Sequence, residues 1–146
     1  MILGLISHPD TPHYPLSKEE LSYIQALLEA LAVTDIITTL TPAWETTLAQ
    51  VANEMDIRIT AVLPSTEYAD LFDDFTHLQQ ITQFWSTAHH LHALPFSKYS
   101  EAAMRAAQQW VVQNSHSIFS LDLPTQWGLQ YAENQQVTIY QPWVLV

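Results

Sequence analysis

The chain has 146 residues, 48% of them hydrophobic, and this composition is typical of one globular domain and excludes intrinsic disorder. Fifteen acidic residues against four Lys and Arg give a formal net charge of -11, which argues against direct binding to nucleic acid or anionic lipid because both need clustered cations. There is no cysteine, so disulfides and thiolate metal sites are excluded. No apolar run reaches the length of a membrane span and no basic segment precedes the apolar start, so we expect a cytoplasmic protein.

Six short apolar runs have the composition of β-strands. They are residues 2–7, 35–40, 58–63, 90–94, 117–121 and 137–140, with residues 143–146 as a candidate continuation of the last one. Several runs end at a proline, which cannot donate to a strand ladder. These runs predict the strands of a sheet.

The segments between the runs have helical periodicity. Ser17 and Glu20 form a capping box that predicts a helix to about Leu31, and Thr41 with Pro42 predicts the start of a second helix that ends near Asp56. Three further helical stretches are predicted over residues 71–85, from about Ser100, and from Thr125. Strands that alternate with helices predict a single three-layer α/β Rossmann-like domain over residues 1–146, with a mainly parallel sheet of about six strands and helices on both faces.

Two segments resemble one known group of proteins. Residues 52–64, Ala-Asn-Glu-Met-Asp-Ile-Arg-Ile-Thr-Ala-Val-Leu-Pro, resemble the helix-to-strand segment of the SLOG superfamily, the Rossmann-like domains of the DprA, LOG phosphoribohydrolase and YpsA-like proteins. Residues 101–115, with the apolar run to Leu121 and then Asp122, resemble the later helix and strand of the same superfamily. The resemblance covers most of the chain, and it implies a nucleotide-derived ligand and, as in many family members, a homo-oligomer.

The chain departs from this family in the loops that bind the ligand. Family members use a glycine-rich loop after the second strand, where this chain has residues 41–45 with Pro42 and Trp44; its two glycines, Gly4 and Gly128, lie elsewhere. Glu45 is the residue that we match to the family's loop acid. Residues 123–128 lack the glycine pair and the catalytic glutamate of the phosphoribohydrolases. These departures argue against a phosphate cradle and against the family's hydrolase chemistry.

The candidate ligand-binding residues follow the carboxyl ends of the predicted strands, where open α/β sheets bind ligands. They are His8, Thr41, Trp44, Glu45, Ser65, Phe96, Ser97, Asp122 and Thr125, together with Arg105 on the helix after the fourth strand. The planar guanidinium of Arg105 suits a carboxylate or a phosphate, and the alternative for Arg105 is an ion pair with one of the many acids. We predict no catalytic residue, no metal ligand and no cofactor.

Other conspicuous residues have two interpretations. His8 is an acid/base candidate without an evident orienting partner, and the histidines at 89, 90 and 92 either bind a metal or, as we favour, pack along a strand. Trp44 and Trp127 either stack on a ligand ring or fill a lost pocket, and we favour filling. The acids Glu67, Asp70, Asp73 and Asp74 are interpreted as a solvated helix face.

Three functions remain open at this point. The first is a non-catalytic domain that binds or senses a nucleotide-derived or other small molecule. The second is a domain whose pocket has degenerated and which acts through protein contacts, as a homo-oligomer or as an acidic partner of a basic surface. The third is a hydrolase of nucleotides or N-glycosidic bonds, with Glu45 or Asp122 as the acid/base group and Arg105 as the anchor.

Overall fold

The protein folds around one parallel six-stranded sheet. The computed structural model describes residues 1–8, 16–39, 44–68, 79, 82 and 88–142. The strands are β1 (Ile2–Leu5), β2 (Asp35–Thr38), β3 (Arg58–Leu63), β4 (His90–Ala93), β5 (Ser117–Phe119) and β6 (Thr138–Tyr140). Their order in the sheet is β4-β3-β2-β1-β5-β6, and every neighbouring pair is parallel. The prediction of six strands in a parallel sheet is confirmed, and the candidate continuation at 143–146 lies outside the described residues.

Four helices connect the described strands. They are α1 (Lys18–Ala30), α2 (Glu45–Glu54), α3 (Glu101–Gln113) and α4 (Trp127–Asn134). The capping box before α1 is confirmed, because the Ser17 hydroxyl accepts the Glu20 N–H and the Glu20 carboxylate accepts the Ser17 N–H, both at 3.1 Å. The predicted helix over 71–85, with its apolar positions, falls on residues that are not described apart from Gln79 and Thr82, both helical.

Two helices begin later than the sequence predicts. Helix α2 begins at Glu45, and the residue before it, Trp44, has dihedral angles of -87° and -15° and is buried in the core. The predicted start at Thr41 and Pro42 falls on residues that are not described. Helix α4 begins at Trp127, two residues after Thr125, and the Gln126 side chain caps it by accepting the N–H of Leu129 at 3.2 Å.

The helices cover both faces of the sheet, as the pattern predicts. Leu3 and Leu5 of β1 pack in a cluster with α1 and α2, whereas Ile6, at the end of the same strand, packs in a cluster with α3 and α4. This alternation follows from the two-residue period of a strand and makes three layers. Among the described residues, no helix combines the length and the hydropathy that crossing a membrane requires.

The strand order reverses at β1. The chain runs outward from β1 through β2 and β3 to β4 and then returns to place β5 on the other side of β1. In open parallel sheets, ligands bind outside the carboxyl ends of the strands at such a switch point. The candidate site therefore comprises the residues that follow β1 and β5 and the first turns of α3 and α4.

Candidate functional site

Asp122, just after β5, lies at the centre of this region and is buried. Its Oδ2 atom accepts the main-chain N–H of His8 at 3.2 Å, and its Oδ1 atom accepts the indole N–H of Trp44 at 3.4 Å. The Ser120 hydroxyl accepts the N–H of Asp122 at 3.0 Å and donates to the carbonyl of Ile6 at 2.7 Å. Asp122 therefore ties together the ends of β1 and β5.

Glu45, the first residue of α2, is a fully buried carboxylate with 0% relative exposure. The hydroxyls of Ser7 and Thr38 both donate to it, the second at 2.6 Å, and the main-chain N–H of Thr39 donates at 3.3 Å. These donors come from the ends of β1 and β2, so the hydrogen-bonded carboxylate of Glu45 occupies the α1/α2 side of the switch point.

Trp44 is likewise 0% exposed and belongs to the core cluster on the α1/α2 side. Its ring meets that of Phe119 edge to face, with the centroids 5.5 Å apart. Because the indole is surrounded by protein atoms, the interpretation of Trp44 as a filling side chain is the one that the contacts favour. The protein's own residues therefore occupy the α1/α2 side of the switch point.

The α3/α4 side is more open, and there His8 has a partner that the sequence does not reveal. The His8 Nε2 atom lies 2.6 Å from Oε1 of Glu101, the first residue of α3. Since a carboxylate only accepts, His8 Nε2–H is the donor. The two side chains are 23% and 60% exposed, so this hydrogen bond lies at the protein surface.

Arg105, one turn further along α3, stacks on an aromatic ring. Its guanidinium carbon lies 5.5 Å from the ring centroid of Trp127, and Trp127 in turn stacks on Tyr131 with centroids 5.4 Å apart. No carboxylate within the described ranges forms an ion pair with Arg105, whereas Arg58, the other arginine, pairs with Asp35. Arg105 therefore presents an exposed guanidinium that forms no ion pair with any described residue.

The close packing of α4 positions Trp127. A Cβ atom at Gly128 would come 2.7 Å from Oε1 of Gln108 on α3 and 2.8 Å from Cγ2 of Ile6. Gln108 itself is buried and donates to the carbonyl of Ser7 at 3.1 Å. The glycine thus allows the first turn of α4 to approach both β1 and α3 closely.

The candidates after β3 and β4 lie apart from this region. The N–H groups of Thr66 and Glu67 donate to the carbonyls of Phe96 and Ser97 at 2.9 and 3.0 Å, so these two loops are joined to each other. Ser65 is fully buried, and its hydroxyl has no hydrogen-bond partner in the described part of the chain. Strand β4, which Phe96 and Ser97 follow, is separated from β5 by three other strands, or about 19 Å at roughly 4.8 Å per strand spacing.

Of the two remaining candidates, one is exposed and the other is not described. Thr125 is exposed in the turn before α4. Thr41 falls on residues that are not described, as do Asp70, Asp73 and Asp74 of the acidic run, while Glu67 of that run is exposed.

The histidines before and in β4 have structural contacts. His92 stacks on Trp110 with ring centroids 4.3 Å apart. His89 Nδ1 accepts the N–H of Ile59 at 3.2 Å, and the N–H of His89 donates to the carbonyl of the same residue at 3.0 Å. Within the described segments, no three His, Asp or Glu side chains are placed to hold a metal ion.

The same histidine arrangement occurs at the start of β5. His116 Nδ1 accepts the N–H of Ile2 at 2.9 Å, and the N–H of His116 donates to the Ile2 carbonyl at 2.9 Å. In both places the imidazole of the residue just before a strand accepts a main-chain N–H of the neighbouring strand, as a main-chain carbonyl would. Both histidines therefore belong to the amino-terminal edge of the sheet, opposite the candidate site.

The amino-terminal edge also has the clearest electrostatic pair. Arg58 Nε lies 2.9 Å from Oδ1 of Asp35, and Arg58 Nη2 lies 3.0 Å from Oδ2. Partial burial raises the pKa of Asp35, but the hydrogen bonds from Thr34 and Arg58 and the charge of Arg58 outweigh it and hold the pKa below 3.8. Arg58 is thus neutralised by a carboxylate, in contrast to Arg105 among the described contacts.

The structure therefore brings together His8, Trp44, Glu45 and Asp122 among the predicted site residues, whereas Arg105 lies one helical turn from Glu101 and contacts Trp127. The structure adds residues that sequence reasoning missed, namely Ser7, Thr38, Glu101 and Gln108. The sequence indicates the two helical residues only weakly. Glu101 lies four residues before Arg105 and Gln108 three residues after it, a spacing that makes side chains neighbours on a helix.

Comparisons with known proteins do not extend this description. The sequence matches no protein-family model, and it matches no curated protein.

Proposed function

We propose that the protein is a non-catalytic domain that binds or senses a small molecule carrying an anionic group on the α3/α4 side of the switch point. The observation that carries the proposal is the unpaired guanidinium of Arg105, held over Trp127 in a chain of net charge -11. With so many acids available, an arginine that pairs with none of the described ones is free to bind an anion from solution.

The position of Arg105 supports the proposal. The first turns of α3 and α4 both begin near the carboxyl ends of β1 and β5, and Arg105 and Trp127 belong to these helices. Trp44 and Glu45 fill the other side of the switch point, which leaves the α3/α4 side for a ligand. A nucleotide-derived compound, which the resemblance to the SLOG superfamily implies, is one member of the proposed ligand class.

Thermal unfolding in the presence of a panel of small molecules tests the proposal. A ligand that binds only the folded protein at 100 times its Kd adds about 2.7 kcal/mol, which raises the Tm of a protein of this size by about 5 to 10 °C. The panel contains nucleotides, ADP-ribose, nucleosides, amino acids and dicarboxylates.

A matched pair of variants gives the control. Arg105→Ala should abolish the stabilisation, whereas Arg58→Ala, which removes the exposed arginine at the opposite edge, should preserve it. A panel in which no compound stabilises the wild type contradicts the proposal.

A second candidate function is protein contact without a ligand, as a homo-oligomer or with a basic partner. The buried Trp44 and Glu45 favour it, because they fill space at the switch point. Sedimentation velocity over a hundredfold range of concentration tests the homo-oligomer, and Arg105→Ala should then change the assembly. We do not extend the proposal to hydrolysis, since Glu45 and Asp122 are both buried and hydrogen-bonded to protein groups.

A further inference from the structure

Glu101 and Arg105 stand four residues apart on α3, which is the spacing and the order at which a helix favours an ion pair between them. They do not form that pair. Glu101 bonds to His8 at 2.6 Å, and Arg105 lies over Trp127. Two opposite charges on neighbouring positions of one exposed helix face are therefore held apart by other side chains.

Both charges retain capacity for a ligand. Only one oxygen of Glu101 is engaged within the described chain, and its side chain is 60% exposed. The guanidinium of Arg105 donates no hydrogen bond to a described residue, so its planar edge is available for a carboxylate. Because the Cβ atoms at this spacing are about 5 to 6 Å apart, one small molecule can contact both groups.

We infer that the ligand is a small zwitterion, an amino acid or a related aminocarboxylate. Its carboxylate binds Arg105 and its ammonium group binds the free oxygen of Glu101. The inference rests on the proposed function and narrows the ligand to a class.

The charges around Arg105 favour a zwitterion over a polyphosphate. Glu101 is exposed beside it, and Asp122 lies behind His8. Of the other basic residues, Arg58 is paired at the far edge, Lys18 begins α1 on the other face of the sheet, and only Lys98 lies in the loop before α3. A ligand with several negative charges would lie near almost as many acidic as basic side chains. A zwitterion has one negative and one positive group, which complement the charges of Arg105 and Glu101.

Isothermal titration calorimetry with two sets of probes tests the inference. One set is the common amino acids with γ-aminobutyrate, and the other is AMP, ADP, ATP and ADP-ribose. The variants are Arg105→Ala and Glu101→Gln, in which glutamine keeps one acceptor oxygen for His8 but replaces the other oxygen with an NH2 donor and removes the charge. The controls are Arg58→Ala and Glu54→Gln, which change an exposed arginine and an exposed glutamate away from the site.

The expected result is that an amino acid binds the wild type and that both site variants weaken it by about tenfold or more, as the loss of a charged hydrogen bond does. The controls should bind as the wild type does. The amine and the acid that lack one of the two charged groups of the best amino acid should each bind about tenfold more weakly.

Other results overturn the inference in distinguishable ways. If a nucleotide binds only when Arg105 is present and binds Glu101→Gln more tightly than the wild type, the ligand is not a zwitterion. The proposed function would then stand. If an amino acid binds the wild type and both site variants equally well, Glu101 and Arg105 do not form its binding site. If no compound of either set binds, the zwitterion inference and the proposed function both fail.

Discussion

Trp44 and Asp122 are joined by a hydrogen bond of 3.4 Å from the indole N–H to Oδ1, although 78 residues separate them in the chain. The other oxygen of Asp122 accepts the N–H of His8. The buried carboxylate of Asp122 thus connects the start of α2, on one face of the sheet, with His8, which follows β1. The side chain of His8 in turn reaches Glu101 of α3 on the other face. The switch point is consequently held together by its own polar groups, and substitutions there should affect stability strongly.

Trp44→Ala should lower the free energy of unfolding by about 3 to 5 kcal/mol, the usual cost of removing a large buried aromatic side chain. Trp44→Phe should cost less, because it keeps the edge-to-face contact with Phe119 and loses the indole N–H. Urea denaturation followed by circular dichroism measures both values.

Trp127→Ala is the comparison for Trp44, because Trp127 is only half-buried. It should cost clearly less stability than Trp44→Ala while it abolishes any binding that depends on Arg105. Equal losses for the two variants would contradict the assignment of Trp44 to the core.

Glu45→Gln should lower stability by about 2 to 4 kcal/mol, since an amide group would turn an N–H donor toward the Ser7 or Thr38 hydroxyl. Glu54→Gln changes an exposed residue at the other end of the same helix and should stay within about 0.5 kcal/mol of the wild type. Chemical denaturation of the two variants under identical conditions gives the comparison. A loss below about 1 kcal/mol for Glu45→Gln would show that its hydrogen bonds contribute little.

The fold could be predicted because it depends on periodic features of the sequence. Alternating apolar runs and helical stretches determine the strands and helices, and a short strand buried on both faces has a continuous apolar composition, as residues 2–7 have. The sequence pattern places the starts of α2 and α4 two or three residues too early. Long-range contacts hold Trp44 and Glu45 at the start of α2, whereas a local cap from the Gln126 side chain marks the start of α4.

The site could be predicted only in part. The rule that ligands bind at the carboxyl ends of strands selects His8 and Asp122 without any structure. The partnership of His8 with Glu101 spans 93 residues, and no local pattern indicates it. Whether Arg105 pairs with an acid or stacks on Trp127 likewise depends on the approach of α4 to α3, which Gly128 permits.

Gly128→Ala should lower stability by about 1 to 3 kcal/mol, because the new methyl group would lie 2.7 Å from Gln108 and 2.8 Å from Ile6. Alanine favours a helix more than glycine does, so a stabilising effect would be expected if the site had room. Glu133→Ala, at an exposed position of the same helix, controls for the effect of an alanine on helix propensity. A Tm of Gly128→Ala at or above that of the wild type would disprove the close approach.

The pair of Asp35 and Arg58 should make stability depend on pH below about 4. The pKa of Asp35 in the folded protein is below its ordinary value of 3.8, so the unfolded chain takes up a proton at a higher pH than the folded one. The stabilisation from this carboxylate is therefore complete above the ordinary pKa and is lost as the pH falls through the lowered one. Because Arg58 is 59% exposed, solvent screening should keep the effect to about 1 kcal/mol or less.

Comparison of the wild type with Asp35→Asn between pH 2 and 6 by urea denaturation measures this contribution. The difference in unfolding free energy should be largest near pH 6, should shrink as the pH falls below about 4, and should decrease at high salt because the pair is partly exposed. A difference for Asp35→Asn that stays constant over the whole range would mean that the ion pair does not lower the pKa of Asp35.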